Sequence, residues 1–200
     1  MSYPPSDRPG RERQRGDVPA VLIGVPPRNP YFTGREDLLR DIHERLTGKP
    51  TALVPHALRG YGGVGKTHLA IEYVHRYQQD YDLICWISAE QPAIVLTTIA
   101  DLGKRMNIPS LSVDDAVREV LAALRRNQPY GRWLLVFDNV NASEDIGEFL
   151  RIGSGHIIVT SRSDVWAGIA QVVEVNVFDR EESIAFLRSR LADIRHEDAD

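Results

Sequence analysis

The chain has 200 residues, 42% of them hydrophobic and 26% charged, and a formal net charge of −4. These values fit one globular domain with enough apolar material for a core. They exclude a uniformly basic surface that would draw nucleic acid over the whole molecule, and no run approaches the ~20 apolar residues needed to cross a bilayer.

Residues 1–20 are rich in Pro, Arg, Asp, Gly and Ser and nearly devoid of apolar side chains. Such a segment cannot offset its ordering entropy by burial and is expected to be disordered. Asp7, Glu12 and Asp17 dilute Arg8, Arg11, Arg13 and Arg15, which favours a solvated tail over a nucleic-acid arm. No apolar signal segment is visible at this end. Residues 21–200 are expected to form the ordered domain, with regular patterning after Pro30.

Helical periodicity covers residues 36–46, and Gly48 and Pro50 supply stop signals. An apolar run near residues 52–58 reads as the first strand, with Pro55 predicting a late start or a bulge. The next helix is expected from residue 67 to about 79. Residues 83–88 read as a buried strand that carries Cys85, the only cysteine. Cys85 cannot form an internal disulfide, which suits a reducing, cytoplasmic setting, and it reads as a small buried hydrophobe. Helices are expected at residues 92–105 and 114–126, and a third strand at 133–137. A short helix near 144–150 leads to strands at 156–160 and 172–175. An amphipathic helix carrying Ile184, Phe186 and Leu187 closes the pattern. Unalternating apolar strands separated by helices imply a parallel sheet covered on both faces, a three-layer α/β sandwich. No solenoid-type repeat is present.

The most specific motif lies between the first strand and its helix. Gly60-Tyr61-Gly62-Gly63-Val64-Gly65-Lys66-Thr67 matches G-x-x-x-x-G-K-[ST] at every fixed position. Glycines let the backbone curl so that successive N–H groups face phosphate oxygens, and the helix start adds its positive dipole end. Candidate nucleotide-binding residues here are Gly60, Gly62, Gly63, Val64, Gly65, Lys66, Thr67 and the adjoining His68. Lys66 would reach the β- and γ-phosphates, and the Thr67 hydroxyl would bind Mg²⁺. Leu134-Leu135-Val136-Phe137-Asp138 is an apolar strand ending in an acid, a Walker B pattern in which Asp138 is the second candidate Mg²⁺ ligand. Ile157-Ile158-Val159-Thr160-Ser161-Arg162 ends in polar groups and a cation, so Arg162 or Thr160 could read the γ-phosphate. Lys66, Asp138 and Arg162 are the candidate catalytic residues. The GTPase base-reading pattern Asn-Lys-x-Asp is absent, which leans towards ATP or ADP.

With these motifs goes Asn29-Pro30-Tyr31-Phe32-Thr33-Gly34-Arg35-Glu36, and also Trp86-Ile87-Ser88-Ala89. Together they resemble the STAND class of P-loop ATPases, specifically the NB-ARC or AP-ATPase branch, and actinomycete-type members that precede tetratricopeptide repeats. The resemblance implies a five-stranded sheet in the order 5-1-4-3-2, the strand at 156–160 lying between the phosphate-loop strand and the Asp138 strand. It also implies that Phe32, with Val25 and Pro26, walls the base and that Arg35 reaches the nucleotide or the following linker. The residues alone allow a plainer reading, in which Thr33 or Gly34 caps the helix at 36–46.

The family likeness implies a two-state switch, closed with ADP and self-associating with ATP, reset by slow Mg²⁺-dependent hydrolysis. Many family members carry a second acid after the Walker B Asp, where this chain has Asn139. An amide cannot accept a proton, so general-base help from that position is lost. The family's Gly-Leu-Pro-type segment, winged helix and repeats do not occur before Asp200. The expectation is a fragment of a longer protein, or a minimal domain whose lid and sensor modules lie elsewhere. Alternatives are a small-molecule or nucleoside kinase, against which stands the lack of an Arg-rich lid, and the nucleotide-binding module of a transcriptional regulator. A degenerate, purely structural site is argued against by the intact Lys66, Thr67 and Asp138.

Overall fold

The computed structural model describes residues 19, 21–48, 56–153, 155–163, 165–166 and 168–197. The disorder expected for residues 1–20 and the irregularity expected at Pro55 therefore lie outside the described residues, Pro19 aside.

In chain order the elements are β1 (Val21–Ile23), α1 (Glu36–Thr47), β2 (His56–Arg59), α2 (Lys66–Tyr77), β3 (Leu83–Ser88), α3 (Pro92–Arg105), α4 (Val113–Arg125), β4 (Trp133–Val140), β5 (His156–Ser161), β6 (Gln171–Glu174) and α5 (Arg180–Glu197). All strands pair in parallel, in the order β1-β3-β4-β5-β2-β6. The five expected strands keep their expected order. Among the described residues the count is corrected to six, because Val21–Ile23 adds an edge strand in register with Leu83–Cys85. It is three residues long, with only Val21 buried, so it offers too little pattern to stand out after a Pro- and Arg-rich segment. β5 separates the phosphate-loop strand β2 from β4.

The two faces of the sheet sort the strand residues by parity. Leu83, Cys85, Ile87, Leu135, Phe137, Ile157 and Val159 face α3 and α4. Ile84, Trp86, Leu134, Val136, Leu58 and Ile158 pack with Leu39 and Ile42 of α1 and with Leu69 and Tyr73 of α2. Both faces are buried, as the unalternating strands require. Burial pushes the Cys85 thiol up to about 12, so it is inert as a nucleophile.

Two further expectations change. The helix near 144–150 is replaced by two 3-10 turns, Ser143–Ile146 and Phe149–Arg151. Their spacing sends Ile146 and Phe149, three residues apart, into the same core. In α5, Ile184 and Leu187 are 40% and 57% exposed, and Phe186 alone of the three turns inward.

Candidate nucleotide-binding site

The site grows from the carboxyl ends of β2, β4 and β5. Gly63 and Gly65 have φ of 82° and 97°, and no atom lies within 4 Å of where a Cβ would stand on either. These left-handed conformations suit glycine and leave an open backbone cradle at the start of α2. Lys66 is buried and curls back over the loop, its Nζ donating to the carbonyls of Gly60 (2.6 Å) and Tyr61 (2.8 Å). Burial, and next the charge of Arg162, hold its ammonium below the usual value, while Asp138 opposes them. The Arg162 guanidinium carbon lies 3.3 Å from where a Cβ on Gly62 would stand, so β5 delivers its cation to the phosphate loop.

Asp138 is tied both to the start of α2 and to the end of the neighbouring strand β5. Thr67 Oγ1 donates to Asp138 Oδ1 at 2.8 Å, and Thr160 Oγ1 donates to the same oxygen at 2.5 Å. The β4–β5 register shifts between Phe137 and Val140, and Asn139 has a φ of 63°. This bulge turns the Asn139 N–H onto Thr160 Oγ1 at 2.8 Å. The Asn139 side chain donates to Glu90, the second residue beyond β3. Glu90 escapes a sequence reading because its partner is 49 residues away.

A cavity of about 470 Å³ opens beside the loop. Phe32, Arg35, Gly62, Gly63, Val64, Gly65 and His68 line it, as do Tyr31, Val175, Val177, Phe178 and Phe186. Val25 packs in the core with Phe32, but neither it nor Pro26 reaches the cavity, so that expectation is corrected. Both belong to the strap leading to Phe32, which is anchored on α2. Arg28 forks onto Glu72 at 2.9 and 2.7 Å, and His75 Nε2 lies 2.9 Å from the Pro26 carbonyl. Burial raises the Glu72 carboxyl, but its hydrogen bonds from Arg28 and Arg76 outweigh it and hold the group low. Gly60 lies outside this cavity, in an adjoining one shared with Gly62, Arg162 and Asn176.

Arg35, not Thr33 or Gly34, is the N-cap of α1, with φ of 63° and no side-chain cap bond. Its guanidinium donates to the Asn176 carbonyl at 2.5 Å, pairs with Glu182 at 3.5 Å and stacks 4.8 Å over Phe178. Arg35 thus clasps the segment between β6 and α5.

The donor set fits a phosphorylated nucleotide with Mg²⁺. It has an open N–H cradle, a buried ammonium, and hard oxygen donors on Thr67 and Asp138. Among the described residues no group of three or more His, Cys, Asp or Glu could hold a metal, so phosphate and water oxygens would complete the shell of such a cation.

A sequence model of the NB-ARC domain matches residues 35–196. The chain belongs to the NB-ARC family. NB-ARC domains are nucleotide-binding, STAND-type P-loop ATPase domains. A nucleotide-binding leucine-rich repeat (NLR)-like protein of Hyaloscypha variabilis is 26% identical over 188 residues, covering 82% of this chain and 19% of that protein. The regulatory protein AfsR of Streptomyces griseus is 27% identical over 169 residues, 80% of this chain and 17% of that protein. This NB-ARC chain therefore spans about a fifth of the length of the curated relatives it matches. Among solved structures, Cdc6p from Pyrobaculum aerophilum superposes with a TM-score of 0.52 at 17% identity, covering 84% of this chain and 51% of that one. That likeness concerns the fold alone. Among the described residues no helix of this NB-ARC domain is long and apolar enough to cross a membrane.

Proposed function

We propose that this domain is the ATP/ADP-binding switch module of a STAND-type signalling ATPase and hydrolyses ATP slowly with Mg²⁺. One observation carries the reading. Lys66, Thr67, Asp138 and Thr160 converge on a glycine cradle beside an aromatic-lined cavity of about 470 Å³. Loop N–H groups and Lys66 hold the phosphates, and Thr67 and Asp138 hold Mg²⁺, whose charge offsets that of the phosphates. Arg162 contacts the γ-phosphate from beside Gly62. Phe32 walls the base, and His68, in the first turn of α2, lines the same cavity.

Arg35 supplies the coupling element. It grips the 176–182 segment through Asn176, Phe178 and Glu182, so a nucleotide lying against Phe32 would bias the path of the chain leaving the sheet. Further domains of a longer protein, and self-association with ATP, would read out that bias. The relatives' names, NLR-like and regulatory protein, support a regulatory role. The kinase reading is disfavoured because β5 stands between β2 and β4. Hydrolysis is slow because Asn139 occupies the place of the family's second acid.

Denaturing the purified chain and identifying the released nucleotide tests the reading; ADP is expected. Phosphate release followed over hours, with Lys66→Ala as blank, should stay far below the ~10 s⁻¹ typical of metabolic enzymes. Turnover near that rate, or a chain that neither carries nucleotide nor binds a fluorescent ATP analogue, overturns it.

A further inference from the structure

We propose that Glu90 is the carboxylate that accepts the proton of the attacking water when this domain hydrolyses a nucleoside triphosphate, and that Asn139 positions it. The proposal rests on the slow-hydrolysis reading above and names where the missing base comes from.

The placement follows from the sheet. Ser88, the last residue of β3, is in register with Asp138, and the Ala89 N–H donates to the Asp138 carbonyl at 2.8 Å. Glu90 therefore leaves the sheet on the same rim as the phosphate loop. Asn139 Nδ2 donates to Glu90 Oε1, and Asn141 Nδ2 donates to the Glu90 carbonyl at 3.2 Å. Two amides from β4 and its following residue thus hold both the side chain and the main chain of Glu90. The contacts run without a break from Thr67 through Asp138, Thr160 and Asn139 to Glu90.

Three other carboxylates near that rim have tasks of their own: Asp138 accepts two hydroxyl protons at Oδ1 and is the proposed Mg²⁺ ligand, Glu174 pairs with Arg59 at 2.8 Å, and Glu182 pairs with Arg35. Among the described residues no Lys, Arg or His forms an ion pair with Glu90, whose carboxylate meets an amide donor instead. An amide contact orients a carboxylate without neutralising it, so the group stays able to take a proton. Asn139 cannot do this itself, and the left-handed bulge conformation it adopts aims its amide at Glu90.

In the step assigned to Glu90, the water oxygen forms a bond to the γ-phosphorus. The bond from that phosphorus to the β–γ bridging oxygen breaks, and its electron pair leaves with the nucleoside diphosphate. One water proton passes to the Glu90 carboxylate and is later released to solvent, leaving inorganic phosphate.

The test uses the purified 200-residue chain, with phosphate release over hours, affinity for a fluorescent ATP analogue, and thermal melting to confirm folding. Glu90→Gln keeps the acceptor for Asn139 but cannot take a proton. It should lower turnover about tenfold or more while affinity stays within about twofold. The parent rate should fall on the acid side of its pH profile, and the residual rate of Glu90→Gln should lack that limb. Asn139→Ala should lower turnover less and keep the limb. Parent-like turnover in Glu90→Gln, or a parallel loss of turnover and affinity, overturns the assignment. A parent that binds the analogue yet shows no turnover above Lys66→Ala overturns the hydrolysis reading and this proposal with it, and its own inactivity tells that case apart.

Discussion

β5 begins at His156 and ends at Ser161, and its two ends sit in different chemistry. At the carboxyl end, short groups (Thr67, Asp138, Thr160 and Asn139) share hydrogen bonds beside glycines that leave open space. At the amino end, long rings form a closed chain. Tyr81 OH lies 2.8 Å from His156 Nδ1 and 3.0 Å from Tyr73 OH, and Tyr73 OH lies 3.3 Å from His43 Nδ1. His43 in turn stacks on Tyr77 with ring centroids 3.8 Å apart. Burial pushes both phenols up and both imidazoles down, so these four rings stay neutral beside Asp80, whose carboxylate lies 4.0 Å from His43. The difference is one of purpose. Rings that partner each other across a packed layer add uniqueness to the core. Short oxygens beside an empty cradle leave bonding capacity for a ligand.

Variants at the two ends should therefore separate ligand affinity from stability. The largest effect is expected for Lys66→Ala. Losing a charge-assisted phosphate contact costs on the order of 1.5–3 kcal/mol, read as a weaker fluorescent ATP analogue titration, with the melting temperature little changed. Unchanged affinity would break the comparison at its ligand-binding end.

Much of that end was legible in the sequence because its chemistry is contiguous. Residues 60–67 hold loop, cation and hydroxyl within eight positions, and Asp138 closes an apolar run. The strand order was legible through the family likeness, and the buried, unalternating strands agree with it. What was hidden depends on contacts across the sheet. Glu90 meets Asn139 only because β3 and β4 are neighbours. The cavity's far wall, Phe178 and Phe186, comes from a linker and an amphipathic helix whose apolar residues the sequence leaves without a named partner. The Tyr81–His156 chain was equally invisible, since nothing local marks a tyrosine 75 residues from its histidine as paired.

That aromatic end supplies the next prediction. Tyr81→Phe removes the hydroxyl between Tyr73 and His156 and leaves polar atoms on both without it. Unfolding in urea should show a loss of about 2 kcal/mol, the cost of stranding buried polar groups, with analogue affinity unchanged. A stable variant with weakened ATP binding would mean that the two ends are coupled through the sheet.

Asp138→Asn sharpens the comparison within the open end. The substitution keeps an oxygen that can accept from Thr67 and Thr160 but removes the charge. ATP affinity measured with Mg²⁺ should fall by about 1.5 kcal/mol, and affinity without Mg²⁺ should change far less. Equal loss in both conditions would make Asp138 an organiser of the loop and not a metal ligand.

The smallest expected effect concerns pH. Burial holds His156 down to about 4 against its usual 6.5, with His56 and His43 adding to the shift and Asp80 opposing it. A histidine depressed on folding takes up protons first in the unfolded chain, so its contribution is complete above pH 6.5 and is lost as pH falls towards 4. Partial exposure of the ring screens the effect, so the expected loss is on the order of 1 kcal/mol. The carboxyls of Glu36 and Glu72 are held below their usual 4.5 by their arginine partners, so their contributions are lost only at lower pH. That leaves pH 6.5 to about 4.5 as the window in which histidines dominate. Urea midpoints taken across it should slope downward in the parent chain and flatten in His156→Gln, and flatten further when His43→Gln is added. An unchanged slope in His156→Gln would mean that protonation of His156 is not linked to unfolding in this window.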